Sequence, residues 1–248
     1  MIETADPIIE KIRAYNCAVD PGRLARAFEF GKVAHDGQTR ASGEPYFTHP
    51  VAVANILADM RLDEDSIITA LLHDTVEDCD VTLETLQTEF GGDVSQLVDG
   101  VTKLSRLAIK SLPSSAQAEN FRKLLMAMSE DVRVLLVKLA DRTHNMRTLS
   151  FIPKPEKRMR IARETMDIYA PLAERIGLTQ IQSELEDSAF EILNGDMRQS
   201  IITRLDYLTS EAKITIPTIS VELQSTIERV GIECSVTGRL KSPYSIWR

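Results

Sequence analysis

The sequence predicts an all-α protein, a helical bundle, with the beginning of an α/β unit at its C-terminal end. Three observations carry this. Apolar residues recur at helical spacing through most of the 248 residues, caps and stops punctuate those runs, and an alternating stretch appears near the end, at Ile232–Thr237.

Taken in order, residues 22–35 place Leu24, Ala27, Phe28 and Val33 at helical spacing. The following RASGEPYFTHP, with Gly43, Pro45 and Pro50, reads as a structured loop. It delivers His49 to the mouth of a helix over 50–60, where Pro50 is tolerated in the first turn. A helix over 65–78 comes next, then one over 81–91 with Thr82 as cap and Gly91 as stop. Leu107–Ala118 holds Pro113 and three serines and reads as a mobile loop, a candidate lid. Residues 130–149 are apolar nearly all round in their first half, as expected of a helix in the middle of a bundle. The Pro-containing FIPKPEK leads to helices over 156–176 and 180–210, and a last helix over 220–231 precedes the alternating stretch. The expected division is a main helical domain over 1–195, with linking helices and the start of a second domain over 196–248.

Composition narrows the function. A net charge of -8 lacks the broad basic surface of a general nucleic-acid binder. Between Asp59 and Asp99 stand twelve Asp or Glu residues and one base, Arg61, a surface that repels polyanions unless a cation intervenes. Cys17, Cys79 and Cys234 are few and widely spaced, which fits a reducing cytoplasm better than a disulfide framework. The N-terminus has no export-signal pattern, and no apolar run is long enough for a membrane span.

The chemistry sits in residues dealt out in order: His49, then His73-Asp74-Thr75-Val76-Glu77-Asp78, then Asp141 and Asn145. On a continuous helix His73, Asp74, Glu77 and Asp78 fall within an arc of about 140°, so all four address one cavity. On the later helix Lys138, Asp141, Asn145 and Thr148 fall within about 80°. Ionisable groups on a largely buried helix need partners or a metal. Any one of these residues alone is an ordinary core histidine, cap or solvated acid. Jointly they form a rarer pattern: two imidazoles and two carboxylates without thiolate suit Mn²⁺, Fe²⁺ or Zn²⁺, and four protein ligands plus water tilt the choice toward Mn²⁺.

HDTVED and KLADRTHNMRTL, preceded by RASGEPYFTHP, resemble the HD-domain hydrolase of the RelA/SpoT homologues, the bacterial stringent-response enzymes. The resemblance runs from about residue 20 to the end. It implies an HD-domain helical bundle with His49, His73, Asp74 and Asp141 as Mn²⁺ ligands and Glu77 and Asp78 as the catalytic, water-activating pair. Arg40 resembles an arginine that approaches the substrate pyrophosphate, and Asn145 and Thr148 resemble residues that hold the nucleotide. Lys138 and Arg142 add positive charge beside them.

The implied reaction removes the 3′-pyrophosphate of guanosine tetra- or pentaphosphate, leaving GDP or GTP. GRLKSPYSIWR resembles the opening of the family's synthetase domain, with Arg239, Lys241 and Ser245 in its nucleotide-binding block. The synthetase's acidic catalytic residues would lie beyond Arg248, so synthesis is not expected. Ribosome or regulatory-protein contacts would run only through C-terminal domains that this chain lacks. The competing readings are an HD phosphohydrolase of another nucleotide and a non-catalytic nucleotide-sensing module.

Overall fold

A computed structural model describes residues 4–109, 131–211, 215–238 and 241–248. The described residues are helical with irregular connections, and their only β-pairing is an isolated bridge between Thr39 and Pro45. They fall into two compact units, 1–158 and 159–248.

The first unit contains α1 (Asp6–Arg13), α2 (Pro21–Ala34), α3 (Thr48–Asp59), α4 (Glu64–Leu72), α5 (Thr75–Asp78), α6 (Leu83–Phe90), α7 (Gly92–Ile109) and α8 (Val132–Arg147). Its centre is α4, which packs against α2, α3, α7 and α8. EDSIITALL carries no charge after Asp65, and every residue from Ser66 to Leu72 is buried. The most enclosed helix is therefore α4 rather than the one over 130–149, whose Val132 is exposed while Val134, Leu135, Val137 and Leu139 are buried.

Caps fix the starts. Asp20 accepts from the amides of Gly22 and Arg23, Asp63 from Ser66 and Thr82 from Thr85, as short polar side chains do at N-caps. Gly91 ends α6 at φ 93°, a left-handed conformation that glycine adopts without a Cβ penalty.

Four details depart from the sequence reading. Val33 is 71% exposed. The buried stripe of α2 is Leu24, Ala27, Phe28 and Gly31, and at about 100° per residue Val33 lies opposite Leu24. Residues 65–78 are not one helix, because a turn at His73–Asp74 separates α4 from α5. Residues 107–109 belong to α7, while the rest of the expected loop lies outside the described residues. Ile232–Thr237 forms no strand, since no described segment pairs with it.

The second unit begins within the helix Pro155–Glu164. It continues through a π-helical turn at Thr165–Tyr169 and the helices Ala170–Arg175, Thr179–Leu193, Gly195–Glu211, Thr215–Glu228 and Pro243–Trp247. The π turn precedes Pro171, whose ring nitrogen cannot donate to the preceding turn. Phe190 packs on the rings of Tyr244 and Trp247, with centroids 5.6 and 5.1 Å away. Lys241 and Ser245 are exposed here, and Arg239 lies outside the described residues. No helix among the described residues is long and apolar enough to cross a membrane.

Candidate metal centre and active site

Three pieces of backbone carry the site. The first is the loop before α3, closed by Arg40 N–H to Glu44 O and Tyr46 N–H to Gln38 O, each 2.9 Å. It presents Arg40 and Tyr46, and places His49 as the second residue of α3, 2% exposed.

The second is the turn between α4 and α5. His73 Nδ1 lies 2.8 Å from Ala70 O, and the Thr75 hydroxyl donates to Leu72 O at 2.7 Å. Side chains thus satisfy carbonyls left open where the helical ladder stops. The third is the C-terminal half of α8, which carries Lys138, Asp141 and Asn145, with Thr148 as its C-cap.

These pieces converge. His49 Nε2 is 3.2 Å from Asp141 Oδ1 and 3.7 Å from Asp74 Oδ2, and His73 Nε2 is 3.1 Å from Asp74 Oδ1. One donor atom each from His49, His73 and Asp141 lies within 4.8 Å of the others, and all three residues are buried.

The donors fit a divalent cation. A carbonyl can only accept, so His73 Nδ1 carries the proton toward Ala70 and Nε2 keeps its lone pair. Among the described residues that buried Nε2 has no hydrogen-bond partner; its approach to Asp74 is close but lacks hydrogen-bonding geometry. An orphaned imidazole nitrogen facing carboxylates is what a metal would satisfy.

Charge is arranged around the same point. Burial works against ionised Asp141, but its surroundings, the Lys138 ammonium foremost, outweigh it and hold the carboxyl well below the usual carboxylate range. Lys138 Nζ pairs with Asp141 Oδ2 at 2.5 Å, and Asn145 Nδ2 donates to Asp141 Oδ1. Burial lowers the pKa of His49. His144 is brought down to about 4, first by burial and then by His49 and Arg40.

Arg40 joins the pieces: one guanidinium nitrogen donates to Asn145 Oδ1 at 3.2 Å and Thr148 Oγ1 at 3.1 Å, while the other is 3.5 Å from His144 Nδ1. Arg40, Asn145 and Thr148 are therefore brought together beside the candidate ligand cluster. Arg142 is half-buried next to Asp141, and Glu77 and Asp78 lie exposed on α5.

Two participants escaped the sequence reading. Tyr46 Oη is 2.8 Å from Asp74 Oδ2 and 3.0 Å from Asp78 Oδ2, joining a candidate ligand to a candidate catalytic acid. Burial, then the two carboxylates, push its pKa upward, so the phenol keeps its proton. His144 has Nδ1 2.7 Å from His49 Nδ1. The available signals were spacings of three, Tyr46 before His49 and His144 after Asp141.

A helical bundle that gathers His from α3, His-Asp from the turn between α4 and α5, and Asp from α8 around one point has the arrangement of the metal-binding HD domains. The HD-domain family model matches residues 27–179, and the chain belongs to that family, among the RelA/SpoT homologues. It is 47% identical over 241 residues to the GTP pyrophosphokinase rsh of Brucella ovis, covering 97% of this chain and 32% of the relative. It is 49% identical over 225 residues to the bifunctional (p)ppGpp synthase/hydrolase SpoT of Escherichia coli, covering 91% and 32%. A relative of equal identity and coverage in Shigella flexneri is named guanosine-3′,5′-bis(diphosphate) 3′-pyrophosphohydrolase. The chain thus spans about a third of the length of these curated relatives. The solved structure of a metazoan SpoT ortholog, described as hydrolysing ppGpp, shares the fold with a TM-score of 0.53 at 24% identity. The match covers 70% of this chain and 97% of that one.

Proposed function

We propose that this chain hydrolyses the 3′-pyrophosphate of guanosine tetra- or pentaphosphate in a Mn²⁺-dependent reaction, giving GDP or GTP and pyrophosphate. The observation that carries the reading is the joining of two sets of residues. His49, His73 and Asp141, with Asp74 beside the two histidines, form a cluster of candidate ligands, and Arg40, Asn145 and Thr148 form a polar group hydrogen-bonded to it through Asn145. The names of the SpoT and pyrophosphohydrolase relatives supply the substrate.

His49, His73, Asp74 and Asp141 would hold the cation, which when bound lowers the pKa of a water and offsets phosphate charge. Glu77 or Asp78 takes a proton from the water whose oxygen bonds the phosphorus as the ribose 3′-oxygen–phosphorus bond breaks, and the ribose oxygen leaves as the 3′-hydroxyl on taking up a proton. Two acids side by side in unlike surroundings can divide the work, one ionised as base and the other orienting. Tyr46 aims Asp78 by hydrogen bonding. Arg40 and Arg142 meet phosphate oxygens, Asn145 and Thr148 hold the nucleotide, and Lys138 offsets negative charge at Asp141.

In domain terms the hydrolase occupies 1–195, and 196–248 links to a region resembling the start of a synthetase, where Arg239, Lys241 and Ser245 would meet nucleotide phosphates. The cytoplasm, where such nucleotides occur, is the proposed location.

The test is release of pyrophosphate from the purified chain incubated with the tetraphosphate and Mn²⁺. Chelator is expected to abolish turnover, and Glu77→Gln or Asp78→Asn to lower kcat by about 10²–10⁴-fold, the range of general acid–base contributions. Folded, metal-loaded protein that releases no pyrophosphate would sink the reading.

A further inference from the structure

We infer that His144 is a positioning residue for the metal centre: its Nδ1 lone pair accepts the Nδ1 proton of His49 and so leaves His49 Nε2 bare toward the cation.

The two Nδ1 atoms are 2.7 Å apart, so one must carry a proton and the other a lone pair. Arg40 decides which. A guanidinium has only donors and a fixed positive charge, and one of its nitrogens stands 3.5 Å from His144 Nδ1. A ring N–H at that position would face a cation, whereas a lone pair is attracted to it. His144 Nδ1 is therefore the acceptor and His49 Nδ1 the donor.

The consequence falls on the other side of the His49 ring. With the proton on Nδ1, neutral His49 has a bare Nε2 beside Asp141 Oδ1 at 3.2 Å and Asp74 Oδ2 at 3.7 Å. His73 Nε2 is bare by the same reasoning, through Ala70 O. Two lone pairs and two carboxylates then face one another, an arrangement that a divalent cation completes and a proton cannot. The opposite assignment, His49 Nε2–H donating to Asp141, would satisfy the cluster without metal and compete with it. Ligand histidines generally direct their second ring nitrogen to an outer partner that fixes the tautomer. Here that partner is a second imidazole, oriented in turn by Arg40, so the group placed to meet phosphate also sets the ligand's proton.

The inference rests on the cluster being a metal site, and its test separates the two ideas. Long-range ¹H–¹⁵N correlation on the metal-free wild-type protein should find the His49 proton on Nδ1. In His144→Leu it should move to Nε2, with Mn²⁺ binding by titration calorimetry weakened about 10–100-fold, the usual span for losing an outer-sphere partner. His144→Gln, whose amide oxygen can still accept, should stay within a few-fold of wild type. An Nε2–H tautomer in the wild type, equal losses in the Gln and Leu variants, or unchanged Mn²⁺ affinity in a folded Leu variant each overturn the role of His144. Wild-type protein that binds no Mn²⁺ while its His49 carries the Nδ1 proton overturns the metal reading alone and supports the tautomer assignment.

Discussion

Gly31→Ala isolates how tightly the bundle must close to build the site. Gly31 lies on the buried face of α2, and a Cβ there would stand 2.6 Å from Phe47 Cε2 and 2.8 Å from the carbonyl oxygen of Leu71. Alanine favours a helix interior over glycine by about 1 kcal/mol. Against this, an extra methyl forced into a packed core costs about 1–3 kcal/mol. The upper end applies because the Leu71 oxygen is backbone of α4, the helix enclosed by four others, and cannot yield without moving that helix. The net is about 2 kcal/mol of destabilisation, or roughly 4–8 °C in Tm for a chain of this size. The displaced groups lie close to the proposed ligands, Phe47 two residues before His49 and Leu71 two before His73. Urea unfolding of metal-free protein followed by circular dichroism, with Mn²⁺ titration alongside, should find both stability and affinity reduced. A midpoint equal to or above wild type, as helix propensity alone would give, refutes the reasoning.

Two other outcomes are expected. Asp63 caps α4 and pairs with Arg133 at 2.9 Å; burial opposes its ionisation, but the Ser66 and Arg133 bonds prevail and its pKa lies below 3.8. A depressed carboxyl stabilises the fold above its unfolded pKa, and that contribution is lost as pH falls through the folded value. Urea midpoints measured from pH 6 downward should therefore fall less steeply for Asp63→Asn than for wild type below about pH 4, and parallel curves would contradict this. Tyr46→Phe keeps the ring but removes the hydroxyl from Asp74 and Asp78. It should lower kcat about tenfold, or ~1.4 kcal/mol of barrier, with KM for the tetraphosphate little changed, whereas a pure KM effect would place Tyr46 with the substrate instead.

The sequence was legible wherever one local rule decided the outcome. Thr82 and Gly91 bound α6 because capping needs only a hydroxyl at one end and a positive φ at the other. Lys138, Asp141 and Asn145 share one face of α8 because that helix is continuous through them. Periodicity misplaced Val33, which needed its angular position relative to Leu24 rather than mere apolarity. It also ran a helix through His73 and Asp74, where side chains capture the carbonyls of Ala70 and Leu72 and the ladder stops. Tyr46 and His144 were illegible for another reason: their partners lie 28 and 95 residues away, and only tertiary packing brings those distances to hydrogen-bond length. Alternation at 232–237 registers an extended tendency, but a strand also needs a neighbour.

The His73–Asp74 turn and α8 also set an order of events during synthesis. The imidazole of His49 and the His-Asp pair leave the ribosome first. At about 5–20 residues per second, seconds pass before Asp141 and its neutralising Lys138 follow. Until then the emerging chain carries two imidazoles and a carboxylate without the fourth donor or the lysine. On the proposed ligand set, a nascent chain would offer only an incomplete chelate, and full coordination would await docking of α8 against α3 and α4. Metal capture would then mark completion of the bundle rather than initiate it.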